Sequence, residues 1–216
     1  MRLITLLLLL FASHFVAAQQ AILHDPVSST VFQISRYSGI KGSPFLNDSW
    51  TKGKAYTSQG YYPLLELKLD AFNNILLFKR NNESFEFEED IVSFVLMPSD
   101  DSASFKYFLK GYSATGLKPN QYVELLTDGP VLLLRSDIRH VSDMNEINQG
   151  VIKTFNSITR YYAGSKDKLE LIRLNQKDIL ALFPGKEDKI REHVKLNKLN
   201  FRNEKDVAAL FNFMNQ

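Results

Sequence analysis

The sequence predicts an α+β protein, mainly an antiparallel β meander forming a curled or barrel-like sheet, with a C-terminal cluster of about three short helices. Three observations carry this. From Tyr61 to Met97, apolar stretches are cut at short intervals by Asp70-Ala-Phe-Asn-Asn74, Arg80-Asn-Asn-Glu83 and Glu88-Glu-Asp90. Within them Leu65, Leu67 and Leu69 alternate with Glu66 and Lys68, and Phe85 and Phe87 alternate with Glu86 and Glu88, the period of two of a sheet with one buried face. From Asn175 onward the period lengthens to that of amphipathic helices.

Taken in order, the chain opens MRLITLLLLLFASHFVAAQQ: one cation, Arg2, an apolar run to about Phe15, then small residues ending at Ala18. This reads as a secretory signal peptide cut after Ala18, because the run falls short of the roughly 20 apolar residues that span a bilayer. The expectation is a soluble secreted or periplasmic protein without a transmembrane anchor. The chain has no cysteine, so there is no disulfide framework and stability rests on a packed core. Its 26 Lys and Arg against 24 Asp and Glu are scattered, which argues against a nucleic-acid partner.

Residues 19–174 form the expected β-rich domain. The lead-in to Lys52 is irregular around one short strand, Thr30 to Ile34, and is rich in aromatics: Tyr37, Phe45, Trp50 and Tyr56 precede the Tyr61-Tyr62 pair. Exposed aromatics stack on sugar rings or fill a partner's pocket, which makes Tyr37, Trp50, Tyr61 and Tyr62 candidate ligand-binding residues; the alternative is that they pack as the edge of the core. Lys54 to Ser58 and Tyr61 to Leu69 form a hairpin closing at Gln59-Gly60, with Pro63 near a strand start or on an edge. The four stretches of the meander are expected to pair with their neighbours in the chain, because short loops join antiparallel strands. Phe105 to Lys110 gives another strand. Asp128-Gly129 between Tyr122–Thr127 and Val131–Arg135 is the strongest hairpin signal, and Ile158–Tyr162 pairs with Leu169–Leu174. This gives about ten strands. Asp137 to Phe155 is polar and poor in turns, and is expected to be partly helical.

Residues 175–216 form the helical segment packed on the sheet. Two helices open with the same phrase, N-x-K-D-[I/V]-x-A-L-F, at Asn175 and Asn203. One capping solution used twice explains it more simply than a repeat, since two copies make no solenoid.

Chemistry is sparse. The densest polar set is Asp137-Ile-Arg-His140-Val-Ser-Asp143. On a helix Asp137 and His140 share a face, as do His140 and Asp143, and a carboxylate beside an imidazole orients a base; these three are the candidate catalytic residues of a hydrolase or metal-dependent enzyme. There is no Gly-x-Ser-x-Gly elbow, no glycine-rich phosphate loop, no His-x-x-x-His spacing and no thiol. No metal site and no cofactor is expected. The balance favours a non-enzymatic binding or interaction protein with a protein, glycan or hydrophobic partner. A third reading, a carrier of a lipid or other hydrophobic molecule, needs a hollow sheet.

The signal peptide, the lead-in Phe45-Leu-Asn-Asp-Ser-Trp50-Thr-Lys-Gly53, the strand Leu65-Glu-Leu-Lys-Leu-Asp70 and the helical end from Phe183-Pro184 to Asn212-Phe-Met-Asn215 together resemble a group of uncharacterised small secreted proteins of Gram-negative bacteria. The resemblance implies a bacterial envelope or extracellular setting and no particular activity.

Overall fold

The computed structural model describes residues 21–23, 29–146 and 150–216; the signal-peptide region lies outside them. Thirteen strands are found among the described residues: β1 (Ala21–Ile22), β2 (Ser29–Val31), β3 (Ile40–Lys41), β4 (Thr51–Tyr56), β5 (Gly60–Asp70), β6 (Ile75–Arg80), β7 (Glu83–Phe87), β8 (Ser93–Leu96), β9 (Lys106–Leu109), β10 (Val123–Thr127), β11 (Leu132–Glu146), β12 (Gly150–Ser165) and β13 (Lys168–Ile172). They form one open, mainly antiparallel sheet in the order β13-β12-β11-β10-β9-β8-β4-β5-β6-β7-β2, with β1 added parallel to β5 and β3 parallel to β12. Helices α1 (Gln176–Ala181), α2 (Glu187–Leu196) and α3 (Glu204–Met214) follow.

The meander is local only as far as β7. Asn81 and Asn82 turn β6 into β7 with φ of 50° and 66°, the left-handed pair that a two-residue hairpin loop requires. Against expectation, β8 does not pair with β7; it returns to lie beside β4. Residues 88–92 make that return, and Ile91 is buried in the core beneath them. So short a link reaches across only because the sheet is strongly curled. Its concave face is filled by Tyr62, Leu67, Phe78, Phe85, Phe94, Phe108 and Tyr122, with Phe94 and Phe108 stacked at 4.6 Å.

The second correction concerns Asp137 to Phe155. Its described residues, 137–146 and 150–155, are no helix but belong to the long antiparallel pair β11–β12, in continuous register from Leu132↔Gly164 to Glu146↔Gly150. Near its base the pair carries Leu133 and Ala163 under the helices; further out Phe155 and Val141 pack with Phe32, Tyr37 and Leu77 of the lead-in and β6. Pro63 sits where β5 bulges, since Leu65 pairs with Gly53 but Tyr62 with Ala55. Gly53 is required there: a Cβ would lie 2.3 Å from the Val95 carbonyl oxygen.

The helices are fixed as their sequence phrases suggest. Asn175 accepts from the Asp178 N–H at 2.9 Å and Asn203 from the Asp206 N–H at 3.1 Å, while each of these aspartates reaches back to a backbone N–H ahead of the helix. Ile179, Ile190, Val207, Leu210, Phe211 and Met214 then bury against Leu133, Ala163 and Ile172.

Candidate functional site

Period-two alternation gives β4, β5, β8 and β9 two faces. One face meets the core; the other, from β5 to β9, carries half-buried Tyr56 and Tyr61 and exposed Tyr107. Register sets the arrangement. Tyr61 on β5 pairs with Tyr56 on β4, Tyr56 with Ser93 on β8, and Ser93 with Leu109 on β9. The adjoining row runs Lys54, Val95, Tyr107 and Leu125. Tyr56 and Tyr61 stack with centroids 5.6 Å apart and planes 24° from parallel. Tyr107 is 47 % exposed across the groove, and Ile22 of β1 extends the row past Tyr61, also exposed.

Between these walls lies a groove of about 290 Å³, lined by Tyr56, Ser93, Val95, Tyr107, Leu109 and Leu125. Small Ser93 in the row between Tyr56 and Leu109 leaves the space, and buried Val95 makes an apolar floor. The Tyr56 phenol is held above its ordinary range, first by burial and then by the neighbouring Tyr61 and Tyr107 phenols, so it stays protonated at neutral pH. No carboxylate lines the groove. β4, β8 and β9 are interior strands paired on both sides, so their backbone groups are already bonded to one another. A ligand here is recognised by ring faces and hydroxyls rather than by main chain.

Of the four aromatics singled out by sequence, only Tyr61 belongs to this surface. Tyr62 points the other way into the core and donates to Glu89 at 2.7 Å. Tyr37 is buried in the lead-in cluster, and its hydroxyl donates to fully buried Asp70; burial, then Asp70, raises its pKa. Trp50 lies partly buried beside Lys68, whose ammonium sits 4.9 Å from the Trp50 ring and 4.7 Å from that of Phe45. Burial among these rings lowers the Lys68 pKa. Tyr56 was visible among the lead-in aromatics. Tyr107 was missed, although its alternation with Phe108 within Phe105 to Lys110 was the signal that could have placed it.

The three polar candidates are not brought together. On a strand, residues three apart face opposite ways, so His140 points away from Asp137 and Asp143; those two share a face but stand about 20 Å apart along β11. Asp143 is exposed beside Lys153 in the register. Asp137 instead joins a cluster on the helix side of the sheet. Arg135 there contacts Asp137 at 2.8 Å, Glu124 at 2.6 Å and Glu204 at 2.7 Å. Tyr161 donates to Glu204 at 2.9 Å, and Thr159 to Asp137. One guanidinium thus serves three carboxylates from two strands and the first turn of α3. Burial raises the Glu124 pKa more than Arg135 lowers it, whereas the surrounding carboxylates, against burial, push the Arg135 pKa up. Every member is engaged with another, and the cluster clamps α3 to the sheet.

Comparison of the chain with protein-family models, with curated proteins and with solved structures gives no match.

Proposed function

We propose that this is an exported, non-enzymatic binding protein that takes a neutral saccharide chain in the groove between Tyr56 and Tyr107, with Tyr61 extending the surface on the far side of Tyr56. The observation that carries the reading is the tyrosine row, half-buried Tyr56 and Tyr61 with exposed Tyr107, on an interior part of the sheet. A pyranose presents an apolar C–H face and a rim of hydroxyls. The tyrosines match both, with ring faces for stacking and phenols, joined by Ser93, for hydrogen bonds. Absence of a carboxylate from the lining suits an uncharged ligand, and paired interior strands disfavour an added peptide strand, which needs a free edge. Placing the groove on strands rather than loops keeps its walls pre-organised. The signal-peptide reading supports an envelope or extracellular setting, where such polymers lie.

The test is calorimetric titration of the protein with chitohexaose, cellohexaose and maltohexaose. Binding of at least one, weakened tenfold or more by Tyr107→Ala and by Tyr56→Ala with unchanged melting behaviour, supports the reading. Undiminished binding in both variants, or no binding of any saccharide, refutes it.

A further inference from the structure

A second cleft, remote in chemistry from the tyrosine groove, is built where four separate segments meet: the β5–β6 turn, the β7–β8 link, the β9–β10 loop and the middle of β11. It encloses about 570 Å³, within the usual range of small-molecule sites. Its lining is polar, with Asn73, Asn120 and Gln121, and carries three cations, Lys110, Lys118 and Arg139, against one carboxylate, Asp90. Lys110 is paired with Asp90. Lys118 and Arg139 pair with no carboxylate among the described residues; the Arg139 guanidinium reaches only the Leu46 carbonyl, at 3.4 Å. Phe72 stands at the rim, 37 % exposed, edge-on to Phe155 at 5.2 Å.

The walls are cross-braced. Asn74 holds a left-handed conformation at φ 57°, accepts from the Tyr122 N–H at 2.8 Å and donates to the Asn120 carbonyl at 2.8 Å, tying turn to loop. The Arg139 N–H donates to the Ala71 carbonyl at 3.0 Å, tying β11 to the same turn. Asp70, fully buried, accepts from the Phe72 and Asn73 N–H groups at 3.0 Å each and fixes the turn from below. A non-glycine residue in that backbone region costs energy and persists where its surroundings hold it, as they do here.

We infer that this cleft binds a small organic anion, its carboxylate or phosphate held between Arg139 and Lys118, with Phe72 covering an apolar part. Two cations without a carboxylate partner, fixed amides beside them and a rigid frame are the complement of such a ligand. The site stands independently of the tyrosine groove.

Titration calorimetry with inorganic phosphate and with citrate tests it on the purified protein, with Arg139→Gln, Lys118→Gln and, as controls, Lys189→Gln and Tyr107→Ala. The expected result is binding of at least one probe, weakened tenfold or more by each of the first two variants and unaltered by the controls. Phosphate alone binding points to a phosphate ester, and citrate alone to a carboxylate. Lys118 lies on an exposed loop, so its variant decides the matter should Arg139→Gln fold poorly. Failure of both probes to bind, or equal binding by Lys118→Gln, overturns the inference. Loss of binding in Tyr107→Ala as well would place the anion in the other groove, which also overturns it.

Discussion

Replacing Arg135 by Met tests how the helical segment is held. The Arg135 side chain is 16 % exposed and makes contacts of 2.6–2.8 Å to Glu124, Asp137 and Glu204. Removing it leaves three carboxylates, one of them on a residue only 6 % exposed, without their cation. Breaking a buried ion pair from one side costs about 3–5 kcal/mol, a large share of the roughly 5–15 kcal/mol that holds a domain folded. The assay is urea unfolding at pH 7 followed by circular dichroism. Glu124→Gln supplies the contrast. Glu124 has a folded pKa raised above 4.5, so the folded state holds its proton to higher pH than the unfolded chain, and wild-type stability falls as pH rises through the window extending upward from about 4.5. Glu124→Gln lacks that loss, so its stability relative to wild type rises through the same window and then levels off. A cost for Arg135→Met below about 1 kcal/mol, the range of exposed pairs, would refute the clamp.

Three further perturbations follow from the same geometry. Asn215→Ala removes a side chain that accepts from the Val131 N–H and donates to the Asp128 and Val131 carbonyls; a loss of about 1–3 kcal/mol in urea unfolding is expected. Asp70→Ala deprives the Tyr37 hydroxyl and two backbone N–H groups of their acceptor; it should lower stability by about 3 kcal/mol, and ultraviolet titration should show the Tyr37 phenol ionising at lower pH than in the parent. Asn74→Ala puts a side chain without local hydrogen bonds into the left-handed region, with an expected loss of about 1–2 kcal/mol by thermal melting.

Much of the fold was legible where the signal is local. Alternation of Leu65, Leu67 and Leu69 located β5 and its buried face, Asn81-Asn82 marked a tight turn, and the Asn-x-x-Asp phrases marked two helix starts because one side chain and one N–H decide them. The return of β8 beside β4 was not legible: the partner is chosen by a link crossing the concave core, and no residue of Ser93–Leu96 encodes it. Asp137 to Phe155 misled for another reason. Its outer faces are wet, so Ser142, Asp143, Asn145 and Lys153 fill positions where burial would have revealed alternation. The site was partly legible: Tyr56 and Tyr61 stood out as aromatics, but the strand order that sets Tyr107 across the groove from Tyr56 came only with the structure.

The most direct test is an NMR titration of the protein labelled at the tyrosine rings with the best-binding hexasaccharide. Shifts confined to the rings of Tyr56, Tyr61 and Tyr107, with those of Tyr37 and Tyr62 unmoved, are the predicted result. Saturable binding that leaves Tyr56, Tyr61 and Tyr107 unperturbed would contradict the account.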